Sequence, residues 1–281
     1  MEKKNIAVLM TVHNRRKETL QCLAYLEKQQ LADNYSYDVW ITDDGCTDGT
    51  KEAVKKAYPY VHIVDGDGNL YWNRGMWKAW EAASKHLNYD FYLWLNDDTD
   101  VYSDALSILL EESDRFEDKC IIVGSTQFID HSRVSYGGFV NFKMISPTGN
   151  AEKVDYFNGN IVLVPSYVFQ KVGNLDPYYS HGHGDTDYGL RAKEAGINCY
   201  LAGKYLGECD RHKKVKKCWD PDVPIKERFQ NLYKPTGYPP REDFYFQKKH
   251  YGVLTAISHY VKLYGRVLLP SLWRKMGKEK I

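Results

Sequence analysis

Three carboxylates crowd into four positions directly after an apolar run. Asp97, Asp98 and Asp100 follow the run Phe91-Tyr92-Leu93-Trp94-Leu95. A short apolar run bounded by polar residues predicts a buried strand of a parallel sheet, and open α/β sheets bind ligands at the carboxyl ends of such strands. Carboxylate oxygens suit Mg²⁺ or Mn²⁺, which typically also contact substrate phosphates. A solvated acidic turn before the next helix is the alternative, and this stretch alone leaves both interpretations open.

A second group of acids follows another predicted strand, Val39-Trp40-Ile41-Thr42. The loop reads Asp43-Asp44-Gly45-Cys46-Thr47-Asp48-Gly49-Thr50 and combines carboxylates with turn residues. We expect a functional role for Asp43 or Asp44, because both stand at the carboxyl end of a strand. Asp48 fits better as the N-cap of the helix that follows.

A third candidate centre lies between residues 178 and 188, where Gly and His alternate before a predicted helix that ends at Gly196. Asp185 stands at the start of this helix and is either an N-cap or a functional acid. Asp187 fits a structural acid that interacts with the helix dipole. His181 and His183 line the loop in one interpretation and bind a metal in the other.

The elements that must position these acids alternate between strand and helix. Apolar runs predict strands at Ile6–Met10, Val39–Thr42, Val61–Val64, Phe91–Leu95, Cys120–Gly124, Ile161–Val164 and Asn198–Leu201. Helical spacing predicts intervening helices, the first over Lys17–Gln30 and a later one over Ser103–Glu112. This alternation predicts an α/β fold with a mostly parallel sheet and helices on both faces. No G-x-G-x-x-G follows the first strand and no Walker A sequence occurs, which argues against dinucleotide-binding and P-loop proteins.

Composition and charge narrow the class of protein. The 281 residues are 43% hydrophobic, and Tyr at 23 and Trp at 7 suit surfaces that meet sugars or other partners. From Arg211 to the end there are 17 Lys and Arg against 6 Asp and Glu, which leaves −10 on the rest of the chain. A basic tail of this kind is expected to meet an anionic surface. The 6 Cys lack C-x-x-C spacing, and neither a secretory signal nor an apolar run of about 18 residues is present, so we expect a cytoplasmic protein.

The tail itself predicts two kinds of structure. Prolines between Trp219 and Pro240 predict an extended segment, after which apolar residues recur at helical spacing from Leu254 to Leu268 among Lys and Arg. A basic amphipathic helix can lie on an anionic membrane, and the alternatives are packing against the rest of the chain or dimerisation. Cys209, His212 and Cys218 could be read as a zinc site, but their spacing is irregular.

These motifs, taken together and in this order, resemble the inverting family-two nucleotide-sugar glycosyltransferases with the GT-A fold, in the branch that assembles bacterial polysaccharides. The resemblance rests on three elements and extends over about residues 5–212. They are Thr11-Val12-His13-Asn14-Arg15, the loop from Asp43 to Thr50, and Asn96-Asp97-Asp98 at the position of the family's DXD motif. The stretch Asn69–Gly75 looks like the donor-side loop of these enzymes.

The resemblance implies roles for particular side chains. One of Asp43 and Asp44 would contact the base, and Asp97 would meet the ribose or a metal. A divalent cation, Mn²⁺ or Mg²⁺, would neutralise the diphosphate. The implied nucleotide-binding residues are Thr11, Arg15, Asp43, Asp44 and Asp97, and the implied metal ligands are Asp98 and His212. Arg74 could pair with phosphate but fits a surface residue equally, and Asp100 fits a solvated loop acid.

Asp185 matches the first Asp of the family's E-D-x-D stretch, which implies that it is the catalytic base. Gly184 stands where the family has Glu, so no role follows for an acid at that position. Inversion is one in-line displacement, in which the acceptor hydroxyl loses a proton as it attacks the anomeric carbon. Charge then grows on the departing nucleoside diphosphate.

The function implied is transfer of a hexose or deoxyhexose from a UDP- or dTDP-sugar to a glycan hydroxyl, with a lipid-linked surface polysaccharide as acceptor. We expect a catalytic domain over 1–215, with a nucleotide-sugar half (1–100) and an acceptor half (101–215). Residues 216–281 would form a C-terminal helical extension that contacts the inner face of the cell membrane. No nucleic-acid partner is expected. The alternatives are a nucleotidyltransferase, which would need a Gly-rich loop after the first strand, and a non-catalytic nucleotide-sugar-binding subunit.

Overall fold

The computed structural model describes residues 3–210 and 216–275. Within them the chain divides into two compact units. The first comprises 3–177 and 184–210 and carries every strand of the described chain, and the second comprises 178–183 and 216–275.

The first unit is an α/β structure built on a ten-stranded sheet. Its strands, with those of a separate three-stranded sheet, are β1 Lys4–Val12, β2 Tyr35–Asp43, β3 His62–Asp65, β4 Phe91–Leu95, β5 Asp100–Val101, β6 Ile121–Gln127, β7 Val134–Tyr136, β8 Gly138–Val140, β9 Lys143–Met144, β10 Glu152–Val154, β11 Tyr156–Phe157, β12 Ile161–Pro165 and β13 Cys199–Glu208. Its helices are α1 Arg16–Leu26, α2 Thr50–Ala57, α3 Tyr71–His86, α4 Ala105–Arg115, α5 Ser166–Val172 and α6 Gly184–Glu194.

The large sheet has the main order β10-β13-β6-β12-β4-β1-β2-β3, with β5 beside β13 and β7 beside β6. Strands β4, β1, β2 and β3 run parallel, as do β6 and β13. β12 is antiparallel to both of its neighbours, and Ile161 at its beginning pairs with Leu95 at the end of β4. The residues before β12 and the residues after β4 therefore lie together at the same edge of the sheet, the one formed by the carboxyl end of β4.

Both faces of the sheet are covered, because successive side chains of a strand point to opposite faces. Ile6, Val8 and Met10 of β1 belong to a buried cluster with residues of α1, α2 and α4. Ala7 and Leu9 belong to a second cluster with residues of α3, α5 and α6. All five residues of β4 are buried, which confirms the reading of that run as a buried strand, and it runs parallel to β1 but antiparallel to β12. The α/β class, the mostly parallel sheet and the helices on both faces are thus as predicted.

Helix α1 ends at Leu26, four residues before the predicted end. The tertiary structure explains the difference, since Gln29 and Gln30 donate hydrogen bonds to residues just before α4 instead of continuing the helix. Gln29 Nε2 donates to the carbonyl oxygen of Tyr102 at 2.7 Å, and the Gln30 N–H donates to that of Ser103, also at 2.7 Å.

The second unit is helical, which confirms a C-terminal helical extension. It contains a short 3₁₀ turn at Lys217–Trp219 and the helices α7 Ile225–Leu232, α8 Pro240–Tyr251, α9 Val253–Leu268 and α10 Pro270–Lys275. The prediction of an extended segment is wrong over α7. Pro224 is the N-cap of α7 and Pro240 begins α8, because a proline is well tolerated where a helix N–H has no partner. None of the helices in the described chain has the length and apolar character needed to cross a bilayer.

Candidate active site

An ion pair joins the loop after β1 to the loop after β4. Arg15 Nη1 lies 3.1 Å from Asp97 Oδ1 and 2.5 Å from Asp98 Oδ2. The two loops meet because β1 and β4 are adjacent parallel strands, whose carboxyl ends fall at one edge of the sheet. One guanidinium thereby holds both carboxylates of the predicted metal or ribose site.

Asp97 is the most perturbed of these acids. Asp97 is only 6% exposed, and burial raises the pKa of its carboxyl to about 7. Arg15 lowers this pKa, and Asp98 raises it. Asp97 Oδ2 is buried and has no hydrogen-bond partner in the described parts of the chain. An oxygen in this state is available to a cation or a hydroxyl that enters the site.

A pair of asparagines connects the end of β4 to the start of β12. The Asn96 N–H donates to the carbonyl oxygen of Asn160 at 3.0 Å, and Asn96 Nδ2 donates to Asn160 Oδ1 at 3.1 Å. Trp72 Nε1 donates to Asn96 Oδ1 at 2.7 Å, and Asn160 Nδ2 donates to Thr99 Oγ1 at 3.3 Å. These bonds fix the backbone on either side of the acidic pair.

Asp185 is tied to the same segment. The N–H of Gly159 donates to Asp185 Oδ2 at 3.2 Å, and the N–H of Thr186 donates to Asp185 Oδ1 at 2.7 Å. Burial raises the pKa of Asp185, and these backbone donors lower it. Because Gly159 immediately precedes Asn160, the carboxylate of Asp185 and the acids after β4 lie at one edge of the sheet.

Gly184, the residue that stands in place of the family's Glu, has no room for a side chain. A Cβ there would lie 1.8 Å from Asn73 Oδ1. Asn73 is fully buried in α3, and its Nδ2 donates to the carbonyl oxygen of Asp176 at 2.8 Å. The amide of Asn73 therefore occupies the space that a larger residue before Asp185 would need.

Asp44 has a pronounced structural role. Its carboxylate accepts hydrogen bonds from the backbone N–H groups of Gly68, Leu70 and Tyr71, at 2.9 to 3.1 Å. Tyr71 has a positive φ of 57°, which is rare for an aromatic residue. The carboxylate thus stabilises a strained turn into α3. Whether Asp44 also contacts a nucleotide stays a prediction.

The neighbouring Asp43 is also buried, and its Oδ1 accepts from the Cys46 N–H at 2.8 Å. Thr11 lies against α3, where a Cβ on Gly75 would come within 2.0 Å of its Oγ1. The glycine allows α3 to approach β1 this closely. The nucleotide-binding roles of Thr11 and Asp43 remain predictions.

Three further polar residues have identifiable partners. Asp48 accepts from the backbone N–H groups of Arg16 and Thr50, both at 3.0 Å, but the N-cap of α2 is Gly49, so the prediction of Asp48 as the N-cap is wrong by one residue. Arg74 Nε donates to the carbonyl oxygen of Pro177 at 2.9 Å. Asp100 was predicted to be a solvated loop acid; the loop assignment is wrong, because Asp100 belongs to β5, where its half-exposed carboxylate accepts from Gln21 Nε2 at 2.7 Å.

The model of glycosyl transferase family 2 matches residues 7–163, which is more than half of the chain. The chain belongs to glycosyl transferase family 2. The recognised family and its enzyme class, a glycosyltransferase, are therefore as predicted. A search of curated proteins found no match.

Solved structures similar to this family 2 glycosyltransferase include three of S. aureus TarS. The first has 12% identity and a TM-score of 0.55, and covers 98% of this chain and 53% of that one. TarS 1-349 has 12% identity and a TM-score of 0.54, covering 95% and 80% of the two chains. TarS 1-349 in complex with UDP has 13% identity and a TM-score of 0.56, covering 99% and 92%. The chain spans about half the length of the first of these, and at such identities the likeness shows the shared GT-A fold.

Of the two predicted metal ligands of the glycosyltransferase, only Asp98 lies within the described residues. Residues 3–210 and 216–275 contain no group of three or more His, Cys, Asp or Glu side chains that could hold a metal ion. His212 lies outside the described residues. Cys209 Sγ lies 3.8 Å from Asp98 Oδ1, whereas Cys218 is buried in the second unit. His183 stacks on Phe246, with ring centroids 4.6 Å apart.

Sequence reasoning missed the residues that connect the glycosyltransferase's acids. The sequence predicted no role for Gly159 and Asn160, which stand directly before the predicted strand Ile161–Val164, and Asn73 was only part of the stretch Asn69–Gly75. The available signal was Asn158-Gly159-Asn160 directly before the apolar run of β12, a polar group at a strand terminus. Its importance depends on the direction of β12, which the sequence does not state.

Proposed function

We propose that this glycosyltransferase is inverting and transfers a hexose or deoxyhexose from a UDP- or dTDP-sugar to a hydroxyl of a glycan acceptor. The observation that carries the proposal is the bond between the Gly159 N–H and Asp185, which holds a candidate base at the same end of the sheet as Asp97 and Asp98. The TarS structure in complex with UDP supports the choice of a nucleotide donor.

In the proposed reaction Asp185 is the general base. Its carboxylate takes the proton of the acceptor hydroxyl while the hydroxyl oxygen bonds to the anomeric carbon. The bond from that carbon to the diphosphate oxygen breaks in the same step, and its electron pair leaves with the nucleoside diphosphate. Burial that raises the pKa of Asp185 makes the carboxylate a stronger base, which favours proton transfer from a hydroxyl.

Arg15 and the acids after β4, the acids through a bound cation, would balance the negative charge of the donor diphosphate. The residues fit a divalent cation, Mn²⁺ or Mg²⁺, because such ions are commonly held by one or two carboxylates together with substrate phosphates. Asp97 Oδ2 has no partner in the described chain, and Asp98 is the proposed metal ligand, with His212 as the second. When bound, the cation would supply charge stabilisation for the departing diphosphate. Arg15 would remain to neutralise the carboxylates or to contact phosphate.

The proposal is tested with a panel of nucleotide-sugars in a thermal-shift assay, with and without Mn²⁺. UDP- or dTDP-sugars should raise Tm more than GDP- or ADP-sugars, since a ligand that binds only the folded state stabilises it. Release of nucleoside diphosphate from the stabilising donor would separate an enzyme from a non-catalytic subunit. Equal shifts with all nucleotides, or pyrophosphate release from a sugar phosphate and a nucleoside triphosphate, would contradict the proposal.

We further propose that the second unit contacts the inner face of the cell membrane, where a lipid-linked surface polysaccharide would be anchored. Leu254 is 80% exposed, and Ile257 and Val261 are exposed on the same face of α9. Exposed Lys262 adjoins this face, and its charge complements anionic lipid.

The membrane proposal predicts cosedimentation with vesicles of phosphatidylglycerol but not of phosphatidylcholine. Substituting Leu254→Ser and Val261→Ser should abolish it. Exposed Ile129 provides the control substitution Ile129→Ser in the first unit. Concentration-dependent dimers that disappear in the Leu254→Ser, Val261→Ser variant, without vesicle binding by the parent protein, would instead assign the face to a second copy.

A further inference from the structure

One face of α8 carries two aromatic rings between two cations. Arg241, Phe244, Tyr245 and Lys248 recur at the three- and four-residue spacing that brings side chains together on a helix. Together with the rings described next they line a recess of about 420 Å³ in the second unit. None of these residues takes part in the proposed transfer reaction.

Four aromatic rings form the walls of this recess. Tyr178 and Tyr245 have ring centroids 4.2 Å apart, tilted by 32°. Phe244 meets Tyr260 edge to face, with centroids 5.9 Å apart. Tyr178 is 44% exposed and Tyr260 is 38% exposed, so ring surface remains open to a ligand. Flat apolar faces with hydroxyl groups at their rims suit a sugar ring, which offers apolar C–H groups and polar hydroxyls.

Two cations, Arg241 and Lys248, line the recess. Arg241 and Lys248 are both exposed, and neither makes an ion pair with any residue of 3–210 or 216–275. An arginine guanidinium recognises carboxylate and phosphate groups through two parallel hydrogen bonds, and a lysine adds a point charge. The combination is therefore selective for a ligand that is both flat-faced and acidic.

We propose that this recess binds an anionic carbohydrate, a sugar that carries a carboxylate or phosphate group. The sugar ring would lie on the tyrosine faces, and Arg241 with Lys248 would bind its acidic group. Identifying this carbohydrate as part of the glycan acceptor rests on the proposed function. The binding itself does not.

A second recess in the same unit provides a matched control. It has a similar volume, about 480 Å³, and no aromatic ring lines it. Its lining has three lysines, Lys217, Lys226 and Lys234, and one acid, Glu227, which pairs with Lys217. Removing two of its lysines changes the charge of the unit by the same amount as removing Arg241 and Lys248. General attraction of acids to a basic surface would be weakened equally by either pair of substitutions.

The test is calorimetric titration of the full chain with three probes: tetragalacturonic acid, neutral maltotetraose and inorganic phosphate. The acidic sugar should bind at least about tenfold more tightly than either other probe, since it alone satisfies both the rings and the cations. The double variant Arg241→Gln, Lys248→Gln should lose at least about tenfold in affinity, and Tyr260→Leu should lose severalfold. The control Lys226→Gln, Lys234→Gln should bind as the parent protein does.

Equal losses in the two double variants, or equal binding of the acidic sugar and phosphate, would overturn the proposal. So would loss of phosphatidylglycerol vesicle binding in Arg241→Gln, Lys248→Gln with no binding of the acidic sugar by the parent, which would assign the cations to lipid. UDP binding measured on the same proteins separates this inference from the proposed function. A parent protein that binds tetragalacturonic acid but no nucleotide would refute the proposed donor and leave the recess assignment standing.

Discussion

The side-chain amide of Asn73 fills the space next to Gly184, so that a Cβ at Gly184 would lie only 1.8 Å from Asn73 Oδ1. Asn73 is anchored in turn, because its Nδ2 donates to the carbonyl oxygen of Asp176. The residue directly before the proposed base is thus restricted to glycine by a side chain more than a hundred positions away in sequence. α3 and the start of α6 consequently set the position of Asp185 together.

This contact predicts strong coupling between the two positions. Gly184→Ala should destabilise the protein by about 1–3 kcal/mol, because the buried amide must move. Asn73→Ala should also destabilise it, through loss of the bond to Asp176. The double variant should be more stable than the sum of the single effects by about 0.5–3 kcal/mol in urea unfolding. Gly182→Ala is the control, since a Cβ there meets no atom within 4 Å. Additive effects would show that the contact is not formed.

Asp185→Asn should remove the proposed general base without changing the shape of the site. We expect transfer to fall by about 10²–10⁴-fold, the usual contribution of a general base, while affinity for the donor nucleotide stays unchanged. Nucleoside diphosphate release under saturating donor and nucleotide titration measure the two quantities separately. Asp33→Asn, at an exposed loop position, is the control. Full turnover by Asp185→Asn would exclude the proposed mechanism.

Asp97 should make stability depend on pH in a defined direction. Burial raises the pKa of the folded carboxyl to about 7, above its ordinary value of 3.8, so the folded protein holds this proton more tightly than the unfolded chain. The resulting stabilisation is complete below about pH 4 and is lost as pH rises through about 7. Asp97→Asn removes this dependence, so the Tm of the variant relative to the parent should rise between pH 5 and pH 7 and then level off. A difference that is constant with pH would contradict the perturbed pKa.

Asp44→Ala should loosen the turn into α3. Three backbone N–H groups, those of Gly68, Leu70 and Tyr71, lose a charged acceptor, and unfolding free energy should fall by at least about 2 kcal/mol. Amide hydrogen exchange should accelerate at these three positions before it does elsewhere in α3. Asp67→Ala is the control, because the carboxylate of the exposed Asp67 accepts a local bond from the Asn69 N–H. Unchanged exchange at Gly68, Leu70 and Tyr71 would show that Asp44 does not hold the turn.

The positions of the acids at strand ends could be predicted from the sequence, as could the strand and helix order that brings several of them to one edge. Apolar runs such as Phe91–Leu95 and the helical spacing in α3 are local signals. A fully buried strand needs an apolar side chain at each position, and a helix packed on the sheet needs one at each turn. Family membership could also be predicted, since its motifs are short and contiguous. Asp48 at the start of α2 is a similarly local feature.

Only the tertiary structure decided what each acid contacts. The antiparallel direction of β12 places Gly159 and Asn160 beside the end of β4, and no local pattern distinguishes that direction from the parallel one. Arg15 meets Asp97 and Asp98 across more than eighty residues, and Gly184 meets Asn73 across more than a hundred. Such contacts arise from packing between elements distant in the chain. The sequence by itself therefore determined which acids reach the edge of the sheet, and long-range packing decided which of them are buried, paired or held in place.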